Sequence, residues 1–251
     1  MIPALEVRDL HFRYPDGTAA LNGVSFSVAA GECVGLIGPN GAGKTTLLWH
    51  LNGLLPERPV TEPDATVRVF GLPVAATNLP QIRRQVGLLF QDPNDQLFCP
   101  TVFEDVGFGP QQLGLSGPEL RQRVAQALAQ VGLQGYEKRA PHHLSGGEKR
   151  LVCLAGVLAC EAGILVLDEP TSNLDPRSRR ELKQLLRQMP MAKLIATHDL
   201  ELVAELCTRV VLLDRGRIVA EGPTVPVLSD EALMLKHDLE CPHILRHQHP
   251  H

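Results

Sequence analysis

Several things are missing from this chain of 251 residues. No Cys-x-x-Cys pair occurs among its six cysteines (Cys33, Cys99, Cys153, Cys160, Cys207 and Cys241), and no secretory leader is read at its start. Reduced thiols in a cytoplasmic setting are therefore expected. Cys153 and Cys160, on an expected helix, are read as core residues. No stretch of 18 or more apolar residues runs without a charge, so nothing is expected to span a membrane by itself. The nearest run, LVCLAGVLACEAGILVL at 151–167, is cut by Glu161 and Gly163 and reads as a helix followed by a short buried strand. Basic charge is not in excess either: 24 Lys and Arg face 28 Asp and Glu, a net charge of −4. That argues against a nucleic-acid surface as the main function, and no nucleic-acid partner is expected. There is no internal repeat, and no low-complexity segment apart from the His-rich last residues.

What is present is ordinary globular material, 44% hydrophobic and 21% charged, enough for one large α/β domain or two small ones. Residues 4–10, 24–28 and 33–37 read as strands, with PDG at 15–17 as a turn between the first two. Buried strands are expected at 86–90, 164–168, 193–197 and 209–214. ILVLD and KLIAT among them are near-continuous apolar runs, as in parallel strands covered on both faces. SGPELRQRVAQALAQVG carries helix start and stop signals: Ser116 three residues before Glu119, Pro118 in the first turn, Gly132 at the end. The expectation is an α/β core at 1–95 and 160–220, a helical insert at about 96–158, and a short helical tail after 222.

GPNGAGKT, from Gly38 through Pro39, Asn40, Gly41, Ala42, Gly43 and Lys44 to Thr45, fits G-x-x-x-x-G-K-[ST] between a strand and an apolar helix that opens with Thr46. Glycines let backbone N–H groups curl around phosphate oxygens, and the helix presents its positive end to the same anion. Lys44 supplies a point charge to the β- and γ-phosphates and Thr45 a hydroxyl to Mg²⁺. A nucleoside triphosphate is the expected ligand. ILVLDEP ends a buried strand on Asp168 and Glu169, and strand carboxyl ends are where ligands gather in open α/β sheets. Asp168 suits the Mg²⁺ shell, and Glu169 is free to polarise an attacking water. LIATHD delivers His198 to the same edge. Taken alone, the two acids also fit a solvated turn and the histidine a structural role.

LSGGEKR (144–150) has a local explanation, a capping box of Ser145 and Glu148. A cap does not need two consecutive glycines, however. Ser145, Gly146 and Gly147 at a helix start form a second anion site, and with one phosphate loop in the chain that site points to the nucleotide of another subunit, in a symmetric dimer.

GPNGAGKTT, Gln91 after a strand, LSGGE, ILVLDEP, SNLD (172–175) and His198 together resemble an ATP-binding-cassette (ABC) ATPase domain over about residues 2–225. The resemblance implies an α/β P-loop NTPase fold with a mostly parallel sheet, an N-terminal antiparallel β subdomain and the helical insert, followed by a helical, His-rich tail at 226–251. It implies ATP and Mg²⁺ as cofactors and a head-to-tail homo- or heterodimer, with two ATP molecules held between phosphate loop and signature. Matched by position, Tyr14 stacks on adenine, Gln91 senses Mg²⁺ and the γ-phosphate, Glu169 is the catalytic base, Asp175 lies in the dimer-interface loop, and His198 is the switch histidine. Glu148 stands where Gln is commoner, and Asn173 is a second small departure.

FQDPNDQLFCPTVFEDVGFGP, residues 90–110, holds four of the seven Phe yet follows no clean period. Read alone it is either a loop packed on its own domain or a surface awaiting a partner. Its wording resembles the ATPases of energy-coupling-factor importers, most nearly the cobalt and nickel group. That implies a docking groove for an integral membrane subunit's coupling helix, with Asp92, Asp95, Glu104 and Asp105 facing basic residues. The chain would then be a peripheral ATPase on the cytoplasmic face of the cell membrane. A soluble ABC ATPase of translation or DNA repair is the alternative, though one cassette with an insert of this size fits it less well. A P-loop kinase or switch GTPase leaves LSGGE unexplained. The tail carries His237, Cys241, His243, His247, His249 and His251, which suit weak Ni²⁺, Co²⁺ or Zn²⁺ binding and would allow a regulatory metal site.

Overall fold

The computed structural model describes residues 2–58 and 60–246. Two sheets organise it. Strands β1 (Leu5–Arg13) and β2 (Ala19–Val28) form a hairpin that continues through β4 (Val67–Val69) and β5 (Leu72–Pro73) into an antiparallel sheet of order β2-β1-β4-β5. The hairpin strands run longer than expected from sequence. Along β1 the buried positions step from Leu5 and Val7 to Leu10, because the pairing shifts there and Asp9 adopts a left-handed φ of 46°. A bulge of this kind breaks the period of two that marks a strand.

The larger sheet has the order β10-β9-β3-β8-β7-β6. Its members are β3 (Cys33–Ile37), β6 (Val86–Leu89), β7 (Ile164–Asp168), β8 (Ala192–Ala196), β9 (Arg209–Asp214) and β10 (Arg217–Pro223). All pair in parallel except the edge strand β10. Their near-continuous apolar composition has a plain cause. Leu165, Leu167, Ile195, Val210 and Leu212 point into one core, while Ile164, Val166, Leu194, Val211 and Leu213 point into the other. Each such side chain, fully buried, contributes roughly 1.5–3 kcal/mol. The second core lies between this sheet and the antiparallel one and takes in Leu47, Leu48 and Leu51 of α1 (Lys44–Leu51). A short helix α2 (Leu79–Gln85) leads into β6.

Between β6 and β7 three helices pack together, α3 (Val102–Gln112), α4 (Gly117–Gln130) and α5 (Gly146–Ala159). Helix α4 agrees with its expected span, and Gly132 closes it at φ 76° with Leu133 N–H bonded to Leu128 O at 2.8 Å. Its start differs in detail: Ser116 occupies the cap position, but its side chain makes no capping bond. Helix α3 was not legible as a helix. Its capping box of Thr101 and Glu104 is present, but Gly107, Gly109 and Pro110 hide its period. Gly109 is there for space, since a Cβ would run into the Cys160 sulfur. Cys153 is a core residue as expected; Cys160 is only partly buried.

Helices α6 (Pro176–Gln188) and α7 (Leu200–Leu206) connect the later strands, and α8 (Thr224–Ser229), α9 (Glu231–Lys236) and α10 (His243–Arg246) follow β10. This last segment is docked rather than free. Leu228, Met234, Leu239 and Leu245 join the same core as α3 to α5.

Candidate nucleotide-binding site

The loop of residues 38–43 leaves β3 and feeds α1. Gly38 (φ 150°) has no room for a side chain, because a Cβ would collide with the Leu213 carbonyl oxygen. Gly43 (φ 104°) would bring a Cβ to 2.6 Å from Ala20 O. Behind the loop, Lys44 is 8% exposed and donates from Nζ to Gly38 O at 2.7 Å and Pro39 O at 3.0 Å. Burial pulls its pKa down, while the charges of Glu169 and Asp168 oppose that shift. The ammonium is thus held in the concavity where an anion would receive it.

At the carboxyl end of β7, Thr45 Oγ1 donates to Asp168 Oδ2 at 2.7 Å. Burial raises the Asp168 pKa; the Thr45 bond and the Lys44 charge work against it, and the Glu169 charge adds to it. A hydroxyl and a carboxylate already paired beside the phosphate loop are the hard oxygen donors that suit Mg²⁺ when phosphate and water supply the rest of its shell.

Glu169 differs from its expected state. It is not free to polarise a water, because both carboxylate oxygens are occupied. Oε1 accepts from His198 N–H at 3.1 Å and from His198 Nδ1 at 2.8 Å. Oε2 accepts from Thr197 Oγ1 at 2.9 Å and Ser172 Oγ at 3.4 Å. Its backbone is left-handed, φ 44°, and its N–H bonds Ala196 O at 2.8 Å. Ser172 opens the SNLD stretch, but nothing in that stretch ties it to Glu169, and Thr197 carries only its place directly before His198 at the strand exit as a hint.

Together Tyr14, Asn40 through Thr46, Gln91, Asp168, Glu169 and His198 line one cleft of about 500 Å³. Tyr14 sits at one side with its hydroxyl 2.9 Å from Thr46 Oγ1 and its ring edge-on to Phe12. Gln91 is exposed on the other. The signature residues are not there. Ser145 and Gly147 line a separate cleft with Asp175 and Ser178, and Gly146 lines a third that borders Gln91. Ser145 and Glu148 form the expected capping box, reinforced by Tyr136 O–H donating to Glu148 at 2.7 Å. Of the two glycines, Gly147 has a local reason to be one: a Cβ would lie 2.5 Å from Ser178 Oγ. Gly146 faces open space. Asp175, matched by position to an interface loop, is the N-cap of α6, accepting from Arg177 N–H and Ser178 N–H.

The ABC transporter family matches residues 21–172. An energy-coupling factor transporter ATP-binding protein, EcfA, of Methanothermobacter thermautotrophicus is 45% identical over 241 residues, covering 95% of this chain and 76% of that protein. The chain belongs to the ABC transporter family. Among solved structures it is similar to cbiO1 of Clostridium perfringens, described as part of the ABC transporter complex cbiONQ. The TM-score is 0.80 at 34% identity, covering 98% of each chain. A dimeric ATP-binding cassette in a post-hydrolysis state with ADP and Pi superposes with a TM-score of 0.75 at 26% identity, over 88% of this chain and 98% of that one. ATP hydrolysis coupled to transport is the activity of this family.

In this ABC ATPase the 90–110 stretch divides. Phe90 and Phe103 pack against the two cores, as does Leu97. Phe98 and Phe108 are 65% and 43% exposed and meet edge-to-face at 5.0 Å. Three of the four acids have local work. Asp92 accepts from Asn94 N–H, Glu104 completes the Thr101 box, and Asp105 accepts from Phe98 and Cys99 N–H at 3.0 Å. No helix among the described residues is long and apolar enough to cross a membrane. In the tail, His237 is 8% exposed and bonds Asp214 Oδ2 through Nδ1 at 2.8 Å. His247, His249 and His251 lie outside the described residues. Among the described residues no cluster of three or more His, Cys, Asp or Glu is arranged to hold a metal.

Proposed function

We propose that the chain is the ATP-hydrolysing subunit of an energy-coupling-factor-type importer of cobalt or nickel ions, peripheral on the cytoplasmic face of the membrane. The observation that carries the hydrolytic part is the single cleft at the carboxyl ends of β3, β7 and β8. It gathers Lys44, the Thr45–Asp168 pair, Glu169 and His198, while the signature lies elsewhere on the same chain. Tyr14 stacks on adenine; the backbone of Gly38 through Gly43 and the side chains of Lys44 and Thr46 cradle the phosphates. Thr45, Asp168 and Gln91 would hold Mg²⁺, which would supply positive charge to the phosphate oxygens. Glu169 accepts a proton from the attacking water, for which one of its four present donors must let go. His198, on the exposed side of the pair, is the donor placed to turn toward the γ-phosphate.

Ser145, Gly146 and Gly147 serve the nucleotide of a second ABC ATPase subunit, identical or homologous. The dimeric cassette structure supports this reading, as does the absence of Ser145, Gly146 and Gly147 from the lining of the chain's own cleft. Residues 1–225 then form the ATPase unit, with 96–158 as its helical part, and the following segment packs onto it through Leu228, Met234, Leu239 and Leu245. The exposed Phe98–Phe108 pair and the similarity to a cbiONQ component support docking of a membrane subunit near 90–110. The test is uptake by the assembled importer in vesicles. ATP-dependent accumulation of Co²⁺ or Ni²⁺ that disappears with Lys44→Ala is expected. Accumulation of an organic vitamin with neither ion moved would contradict the ion assignment.

A further inference from the structure

Helix α5 begins at the signature and one turn later buries a charge. Arg150 is 2% exposed. Its guanidinium is held by two main-chain carbonyls: Nη1 donates to Phe90 O at 2.5 Å and Nη2 to Gln91 O at 2.6 Å. Nε has no partner among the described residues. Burial lowers the pKa, with Cys153, Asp92 and Asp168 opposing, and a guanidinium keeps its charge regardless. Burying a charge without a close carboxylate is expensive, so capping a helix start does not account for Arg150. The two carbonyls belong to consecutive residues at the exit of β6, where the chain turns to present Gln91 to the cleft. A planar fork with two parallel donors is what can hold two adjacent carbonyls in one orientation.

The same helix face grips the rest of that loop. Lys149 Nζ donates to Asn94 Oδ1 at 3.0 Å, and Gln96 Nε2 donates to Cys153 O at 3.3 Å. We propose that Arg150 is a positioning residue. It locks the Phe90–Gln91 backbone to α5, so that Gln91 and the signature at the helix start move as one piece. A displacement of the 90–110 surface by a membrane subunit then reaches a chain's own nucleotide through Gln91 and the opposite nucleotide through Ser145, Gly146 and Gly147. The inference rests on the reading of Gln91 as a residue that meets the nucleotide.

The test uses the full chain, with steady-state ATPase rates, affinity for a fluorescent ATP analogue, and amide hydrogen exchange. Arg150→Met keeps the length and removes the donors. It should lower kcat by about tenfold or more while analogue affinity stays within about threefold, because the loss falls on a transition-state contact and not on binding. Exchange at 91–97 should rise while β7 stays protected. Arg150→Lys, which keeps the charge but loses the fork, should recover part of the rate. In a Gln91→Ala background, Arg150→Met should cost less than about twofold more, since both act through one group. A wild-type kcat in Arg150→Met alongside a slowed Gln91→Ala overturns the tie alone. Losses that multiply in the double variant overturn it as well. Should Arg150→Met fail to fold, Arg150→Lys decides. A wild-type rate with loosened 91–97 contradicts the proposal, and a reduced rate with unchanged affinity and loosened 91–97 supports it. A wild-type rate in Gln91→Ala would remove the reading of Gln91 itself, and the proposal with it.

Discussion

Glu169→Gln is the substitution for which the structure sets the clearest expectation. The residue is 6% exposed and its side chain accepts four hydrogen bonds. Gln keeps the shape, and its amide oxygen can keep the two His198 donors. The new NH₂ replaces Oε2 opposite Thr197 and Ser172, whose hydroxyls can rotate to accept. The fold should survive at a cost of about 1–2 kcal/mol, the difference between a charged and a neutral bond. Removing a negative charge beside Asp168 and Lys44 also lowers repulsion toward a triphosphate, so ATP affinity should hold or improve. What disappears is the proton acceptor. General-base loss is worth about 10²–10⁴-fold, or roughly 2.7–5.4 kcal/mol of barrier. Single-turnover phosphate release with enzyme in excess reads the chemical step, and size-exclusion chromatography in ATP reads the dimer that should accumulate. A wild-type single-turnover rate would refute the assignment of Glu169. So would lost ATP affinity in a folded variant, since the carboxylate would then serve binding.

Phe98→Ser with Phe108→Ser should lower stability by about 1–3 kcal/mol, since the half-buried Phe108 and the edge-to-face pair are both lost, and leave the fold and basal ATPase intact while uncoupling it from the membrane complex. Leu97 is unsuitable for this test because it packs on the core; a loss of folding in the Phe pair would place those rings in the core as well. A second expectation concerns acid stability. Arg209 donates to Glu32 at 2.8 and 3.0 Å, and that bond above all holds the Glu32 pKa below its usual range, against desolvation. A depressed carboxylate stabilises the fold above its unfolded value of 4.5, and that stabilisation is lost as pH falls through the lowered folded value. At this part-exposed site it amounts to about 1 kcal/mol or less. Urea midpoints of wild type and Glu32→Gln should differ at neutral pH and converge as the pH falls through the lowered folded value; a constant gap would contradict the linkage.

The parts of this protein legible in its sequence are those fixed by neighbours in the chain. ILVLD reads as a buried parallel strand because each of its four apolar residues has a core on its own side, and GPNGAGKT reads as a phosphate loop because the turn geometry demands glycine within a few residues. The Ser145–Glu148 box and the Gly132 stop are local in the same way. What escaped is held by distant partners or masked by exceptions. Helix α3 hides behind Gly109, whose reason is Cys160 on another helix, and β1 hides its length behind the bulge at Asp9. The occupied state of Glu169 depends on Thr197 and His198, 28 and 29 residues away, and Arg150 meets Phe90 and Gln91 from 60 and 59 residues away. No period or motif carries such pairings.

The central claim is that each working site is shared, with the phosphate loop from one chain and the signature from another. Lys44→Ala disables the first half, and Ser145→Arg blocks the second by filling the partner's phosphate site. Each variant alone should be nearly inactive as a homodimer. In a confirmed mixed dimer of the two, one site carries both lesions and the other carries neither, so ATPase activity per mixed dimer should recover toward about half of wild type if the sites act independently. Recovery to that level is the predicted result. A mixed dimer of verified composition that stays as inactive as either parent would contradict the shared site.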